Sequence, residues 1–256
     1  MQIRPCIDIH DGRVKQIVGG SLSDKGAVEN FISEKDAAYY AGIYRDKELP
    51  GGHVIILNKY GTPEYESSLE MAMKAFGAYP EGLQAGGGIT PENAELFLEA
   101  GASAVIVTSY VFRDGRIDMK RLKEMSETVG RERLVLDLSC RRKAGEEGLY
   151  VVTDRWQKYT EEKLTADLLK KLEEYAGEYL VHAADVEGKA AGIDEEAVLL
   201  LGEYEGIPVT YAGGVHEYED IGKIRELGMG RVNVTVGSAL ELFGGRLKLD
   251  KLMELC

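Results

Sequence analysis

Two aspartates set in apolar runs are the residues of this chain whose type and spacing suit chemistry: Asp8 in Cys6-Ile7-Asp8-Ile9 and Asp137 in Leu134-Val135-Leu136-Asp137-Leu138. A carboxylate is costly to remove from water unless it is paired or reacts. Taken singly, each has a bland reading as a structural aspartate that caps a neighbouring loop. Taken as a pair they suit general acid and base roles, and a positioned proton transfer contributes about 10²–10⁴-fold in rate. Partial burial is expected to raise the pKa of one, so that an acid and a base coexist near neutral pH.

The two aspartates stand 129 residues apart in a chain of 256, half its length. Gly87-Gly88-Ile89 returns as Gly213-Gly214-Val215, 126 residues on, and the strand end Thr108-Ser109 returns as Gly237-Ser238, 129 residues on. Any one match is weak, but three in the same order and at nearly one offset point to a duplicated half.

The elements that must position these residues alternate. Short runs rich in Val and Ile predict eight strands, over 2–9, 53–57, 82–85, 104–108, 134–138, 179–182, 208–211 and 232–236. Helical patterns follow them, among them 91–100, 119–129, 166–175, 217–227 and 249–255. Strand–helix alternation of this kind makes a parallel sheet. Eight such units close into a TIM (β/α)8 barrel, here of two similar half-barrels, whose active site sits at the C-terminal ends of the strands. The first and fifth strands then face each other across the mouth and bring Asp8 and Asp137 to a common ligand. No linker interrupts the chain, so residues 1–256 are expected to form a single barrel domain. Two long loops follow the strands that carry the aspartates: 10–30, rich in Gly and Ser, and 141–156, whose apolar run Leu149-Tyr150-Val151-Val152 reads as a hairpin.

Each glycine stretch leads from a strand into a helix. Such turns need Gly for the backbone in any case, yet they also let a phosphate approach exposed N–H groups. Gly87, Gly88, Thr108 and Ser109 in one half, and Gly213, Gly214, Gly237 and Ser238 in the other, are therefore candidate ligand contacts. Two such sites predict an elongated ligand with a phosphate at each end.

A net charge of −13 disfavours nucleic acid and anionic membrane as partners. Three cysteines without C-x-x-C spacing indicate neither a disulfide framework nor a zinc site, and suit a reducing compartment. No signal peptide or apolar span is evident, so a soluble, cytoplasmic protein, taken to be a monomer, is expected. The four histidines show no spacing that suggests a metal. His10 and His182 fall at strand ends within reach of a ligand, whereas His53 and His216 read as structural. Trp156, the one tryptophan, closes the hairpin and could stack on a heterocycle, though a lone tryptophan is more often packing.

As a set these motifs resemble the phosphoribosylformimino-aminoimidazole carboxamide ribotide isomerases of histidine biosynthesis, over nearly the whole chain. His-Ala-Ala-Asp-Val-Glu-Gly at 182–188, Leu-Ser-Cys-Arg at 138–141 and Lys-Gln-Ile-Val-Gly-Gly at 15–20 are closer to the eukaryotic-type branch. The resemblance implies an Amadori rearrangement of an aminoaldose to an aminoketose, with no metal and no organic cofactor, on a substrate bearing a phosphate at each end. It makes Asp137 the general acid that helps open the ribose ring, and Asp8 the base that removes the C2 proton. It adds Gly19 and Gly20 of the first loop, and Trp156, as substrate contacts. His182 stands where the bacterial pattern has an active-site Thr, and Ile55 where it has an Asp. The sister barrel that cyclises to imidazole glycerol phosphate shares the aspartates and phosphate sites, but has a Lys eight residues after its first Asp, where this chain has Gln16. A non-catalytic phosphosugar-binding barrel is the remaining alternative, since fold alone does not imply function.

Overall fold

Eight runs of β-branched and other apolar residues form parallel strands: β1 (Cys6–His10), β2 (Gly52–Ile56), β3 (Leu83–Gly86), β4 (Ala104–Val107), β5 (Leu134–Asp137), β6 (Glu178–His182), β7 (Val209–Ala212) and β8 (Asn233–Thr235). A computed structural model describes residues 1–17, 29–189 and 192–256. Helices follow the strands in turn: α1 (Ala37–Asp46), α2 (Pro63–Ala78), α3 (Ala94–Glu99), α4 (Met119–Val129), α5 (Ala166–Leu172), α6 (Glu195–Glu203), α7 (Tyr218–Leu227) and α8 (Leu249–Leu255). The strands pair in chain order from β1 to β8. The sheet closes where Ile3 bridges Val234, with Arg4 N donating to Val234 O at 2.9 Å and Val234 N to Gln2 O at 3.0 Å. This is a TIM barrel, and β1 and β5 lie on opposite walls.

The first strand is shorter than its expected 2–9 span. Pro5 has no N–H to give to a ladder, so pairing resumes only at Cys6, and Pro5 O accepts instead from His53 N at 2.9 Å. Beyond Asp8 the chain doubles back: Ile9 and His10 pair antiparallel with Val14 and Arg13. Asp8 therefore stands at the middle of its strand rather than at its end, whereas Asp137 is the last residue of β5. The long loop after β5 is more than the expected hairpin, for Cys140–Arg142, Leu149–Thr153 and Lys158–Lys163 make a three-stranded antiparallel sheet.

Strand residues alternate between two environments, as the period-2 geometry requires. Val105, Val107, Leu134, Leu136, Tyr179 and Val181 face the helices within the main core. Their neighbours Ala104, Ile106, Val135 and Leu180, with Ile55, form a separate cluster inside the barrel. One end of the interior is polar: Glu178 accepts from Gln84 Nε2 at 2.8 Å and from Thr210 Oγ1 at 2.6 Å. The apolar plug supports the charged groups at the other end. Leu180, 2% exposed, is surrounded by β-branched and small side chains that cannot collapse into a void. Leu180→Ala is expected to lower unfolding free energy by about 2–5 kcal/mol, read as a fall in the urea midpoint at constant m value.

Candidate active site

Asp8, in β1, and Asp137, at the end of β5, reach the barrel mouth from facing walls, and β6 places His182 near both. Thr108, just past β4, donates from Oγ1 to Asp137 Oδ2 at 3.2 Å, and Ser139 donates to Oδ1 from its backbone N at 2.8 Å and its Oγ at 2.5 Å. His182 Nδ1 lies 3.3 Å from Ser139 Oγ and 3.9 Å from Asp137 Oδ1. On the other wall Gln16 Nε2 donates to Asp8 Oδ2 at 3.2 Å. Gln16 is on the antiparallel return strand Arg13–Ile17, so the doubling back after β1 is what brings its amide to the aspartate.

The environments drive the two aspartates apart. Burial, together with the Glu187 carboxylate, pushes Asp8 up to about 7, against the smaller opposing pull of His182 and the Gln16 hydrogen bond. Burial also acts to raise Asp137, but His182 and the two Ser139 donors outweigh it and hold Asp137 below the ordinary carboxylate range. His182 is the converse case: burial acts to lower it, and Asp137, Glu187 and Asp8 prevail to raise it. The site thus sets an Asp137 biased towards its ionised form beside a His182 biased towards its protonated form, across from an Asp8 that titrates near 7. His53 is buried beside them, its ring 5.8 Å from that of His182, and burial followed by the His182 charge lowers it to about 3. Read from sequence as structural, His53 also lines the pocket.

That pocket joins Asp8, Gln16, His53, His182 and Glu187 to the glycine turns after β7 and β8, with Gly213, Gly214, Gly237 and Ser238 in its wall. Gly87, Gly88, Thr108 and Ser109 are not among the residues lining it. Gly87 and Gly88 follow β3 and repeat the backbone of the second pair: φ is +101° and +70° for Gly87 and Gly88, and +128° and +76° for Gly213 and Gly214. A Cβ on Gly87 would meet Ile56 O at 2.1 Å and one on Gly214 would meet Gly192 O at 2.1 Å, so both turns require glycine sterically. Thr108 spends its hydroxyl proton on Asp137, and Ser109 Oγ accepts from Asp154 N at 3.5 Å. His10, placed within reach of a ligand by sequence, instead lies with Nδ1 3.0 Å from Asp11. Gly19 and Gly20 lie outside the described residues.

Trp156 sits at the tip of the three-stranded sheet, its ring 5.5 Å from that of His182 and tilted by 43°. The sheet is tied to the β6–α6 loop by Arg141 Nε to Asp185 Oδ1 at 2.8 Å and Arg142 Nη2 to Asp194 Oδ1 at 2.9 Å. Asp154, Arg155 and Trp156 all have positive φ, from 54° to 66°, a left-handed run that turns the indole towards the mouth at a cost in backbone strain.

Among the described residues His216, Glu217 and Asp220 bring possible ligand atoms within 4.8 Å of one another. Asp220 Oδ2 is already committed to the start of α7, accepting from His216 N at 3.0 Å and Glu217 N at 3.2 Å, and Lys223 Nζ lies 4.0 Å from its other oxygen. These residues fit a helix cap.

Residues 2–247 match the histidine biosynthesis protein family. The chain belongs to that family. The chain is 52% identical to a chloroplastic protein of Medicago truncatula over 96% of its own length and 79% of that protein's. It is 44% identical to a Neurospora crassa protein, over 96% of this chain and 94% of that one. With a Saccharomyces cerevisiae protein it shares 41% identity, over 94% and 92% of the two chains. All three are named 1-(5-phosphoribosyl)-5-((5-phosphoribosylamino)methylideneamino)imidazole-4-carboxamide isomerase. Within this histidine biosynthesis barrel, sequence reading left Glu187 and Ser139 without a role. Their signal was present in the quoted motifs at 182–188 and 138–141, but nothing in the linear order shows that they meet Asp8, Asp137 and His182.

Proposed function

We propose that this chain is the aldose–ketose isomerase of histidine biosynthesis, acting on the imidazole carboxamide aminoaldose named in its relatives and converting it to the aminoketose by an Amadori rearrangement. The observation that carries the reading is the placing of Asp8, raised to about 7, opposite an Asp137–His182 couple linked through Ser139, in a barrel whose pocket runs into glycine turns.

In the reaction a proton delivered to the ring oxygen breaks its bond to C1 and leaves an open-chain Schiff base. Asp137 and His182 stand on the wall suited to that delivery, with the transferable proton on His182 while Asp137 stays ionised. Ionised Asp8 then takes the proton from C2, giving an enolamine. C1 gains a proton and the C2 hydroxyl loses one as the ketone forms, so no proton is consumed overall. Gly213, Gly214, Gly237 and Ser238 would hold one phosphate through backbone N–H groups; Gly87, Gly88 and Ser109 would hold the other, with Thr108 supporting Asp137. Trp156 would close over the substrate heterocycle. We further infer a monomeric, cytoplasmic enzyme, its three cysteines suiting a reducing compartment, with neither nucleic acid nor membrane as partner, which the net charge of −13 disfavours.

The test is turnover of the aminoaldose bisphosphate by purified protein without added metal. Formation of the aminoketose supports the reading; cyclisation of the aminoketose with ammonia, and no isomerisation, would transfer the assignment to the sister barrel. Glu187 lines the same pocket as Asp8. Its carboxylate helps to raise Asp8, so Glu187→Gln should move the acid limb of the kcat/KM profile to lower pH. An unmoved limb would mean that Glu187 does not act on the base.

A further inference from the structure

We propose that Ser139 is a positioning residue that sets the tautomer of His182, so that the proton exchanged by the Asp137–His182 couple is carried on Nε2, the ring nitrogen left facing the pocket. A serine hydroxyl has one proton and two lone pairs, and an ionised carboxylate only accepts. Ser139 Oγ lies 2.5 Å from Asp137 Oδ1 and 3.3 Å from His182 Nδ1. Its single proton goes to the carboxylate, which leaves an oxygen lone pair towards the ring, and Nδ1 must therefore be the protonated nitrogen. Nδ1 is 3.9 Å from Asp137 Oδ1, beyond a direct hydrogen bond, so the hydroxyl is the bridge.

Ser139 is fully buried and its backbone N also donates to Asp137 at 2.8 Å, so the hydroxyl cannot swing away to water. His182 lines the pocket, and with Nδ1 turned to Ser139 its Nε2 is the nitrogen presented there. The consequence is directional. His182 can give the Nε2 proton to the sugar ring oxygen and become the neutral Nδ1–H form without moving any other hydrogen. Regaining a proton at Nε2 restores it. The identity of the proton acceptor rests on the isomerase reading, whereas the tautomer does not.

The experiment is 15N NMR of the whole protein labelled at histidine, comparing wild type, His182→Asn to assign His182 among the four histidines, and Ser139→Ala. Wild-type His182, above its titration, is expected to show the nitrogen shifts of the Nδ1–H tautomer, and Ser139→Ala to move towards Nε2–H. kcat in Ser139→Ala should fall about tenfold or more, part of the ~10²–10⁴-fold that a positioned proton donor supplies, with KM within about twofold. An Nε2–H tautomer in the wild type overturns the proposal, and that spectrum decides even if the variant fails to fold. So does a Ser139→Ala protein with unchanged tautomer and kcat. If the aminoaldose is never turned over, the isomerase reading fails while the wild-type spectrum still settles the role of Ser139.

Discussion

Asp8→Asn is expected to reduce kcat by about 10²–10⁴-fold with substrate affinity retained, because the amide keeps the shape and the Gln16 contact but cannot accept the C2 proton. The variant also has a stability signature. Asp8 has its folded pKa raised from 3.8 to about 7, so its stabilising contribution is complete below its unfolded value and is lost as pH rises from about 4 to about 7. At pH 8 the wild type therefore carries an unfavourably buried charge that Asn removes. Denaturant midpoints should show Asp8→Asn stabilised relative to wild type at pH 8, with the gain shrinking towards pH 5. In wild-type kcat/KM the same group should give a tenfold rise per pH unit below about 7, where Asp8 is protonated in the free enzyme. A variant that turns over like the wild type would exclude Asp8 as the base.

Asp137→Asn is expected to cost a similar factor in kcat by a different route. Burial works against the proton on His182, and it is chiefly Asp137 that holds the proton there. With Asn in its place His182 should lose its proton at lower pH, and the basic limb of the kcat profile should move down. His182 has a raised folded pKa, so its contribution to stability is complete below its unfolded value near 6.5 and fades as pH rises through the folded one. In Asp137→Asn that contribution disappears. Removing one member of a buried charged pair costs about 3–5 kcal/mol when the survivor stays charged; His182 can shed its proton instead, so the stability loss should be smaller at pH 8 than at pH 6. Equal loss of activity at all pH values, with an unmoved basic limb, would place Asp137 in a role independent of His182.

The fold was legible in the order of residues because its cause is local. Buried parallel strands must be apolar and short, the helices that cover them must carry a 3.6-residue pattern, and Met119–Val129 and Leu249–Leu255 lie where that pattern ends. Boundaries failed where a backbone group rather than a side chain decided, as at Pro5. Asp8 and Asp137 were legible because a carboxylate in an apolar strand is anomalous by itself, and the glycine pairs because only glycine accepts those turns.

The roles of Glu187, Ser139, Gln16 and His53 were not legible, since each is ordinary in its own segment and acts through a contact that only the folded chain makes, Gln16 through the doubling back after β1 and Ser139 by bridging Asp137 to His182. The amino-acid sequence by itself determined the barrel, the two aspartates and the two glycine turns. Only the tertiary structure decided which aspartate holds a proton near neutral pH, because that depends on burial and on charges brought to β1 and β5 from β6 and the loop beyond it, and electrostatic energy falls with distance in space, not with separation along the chain.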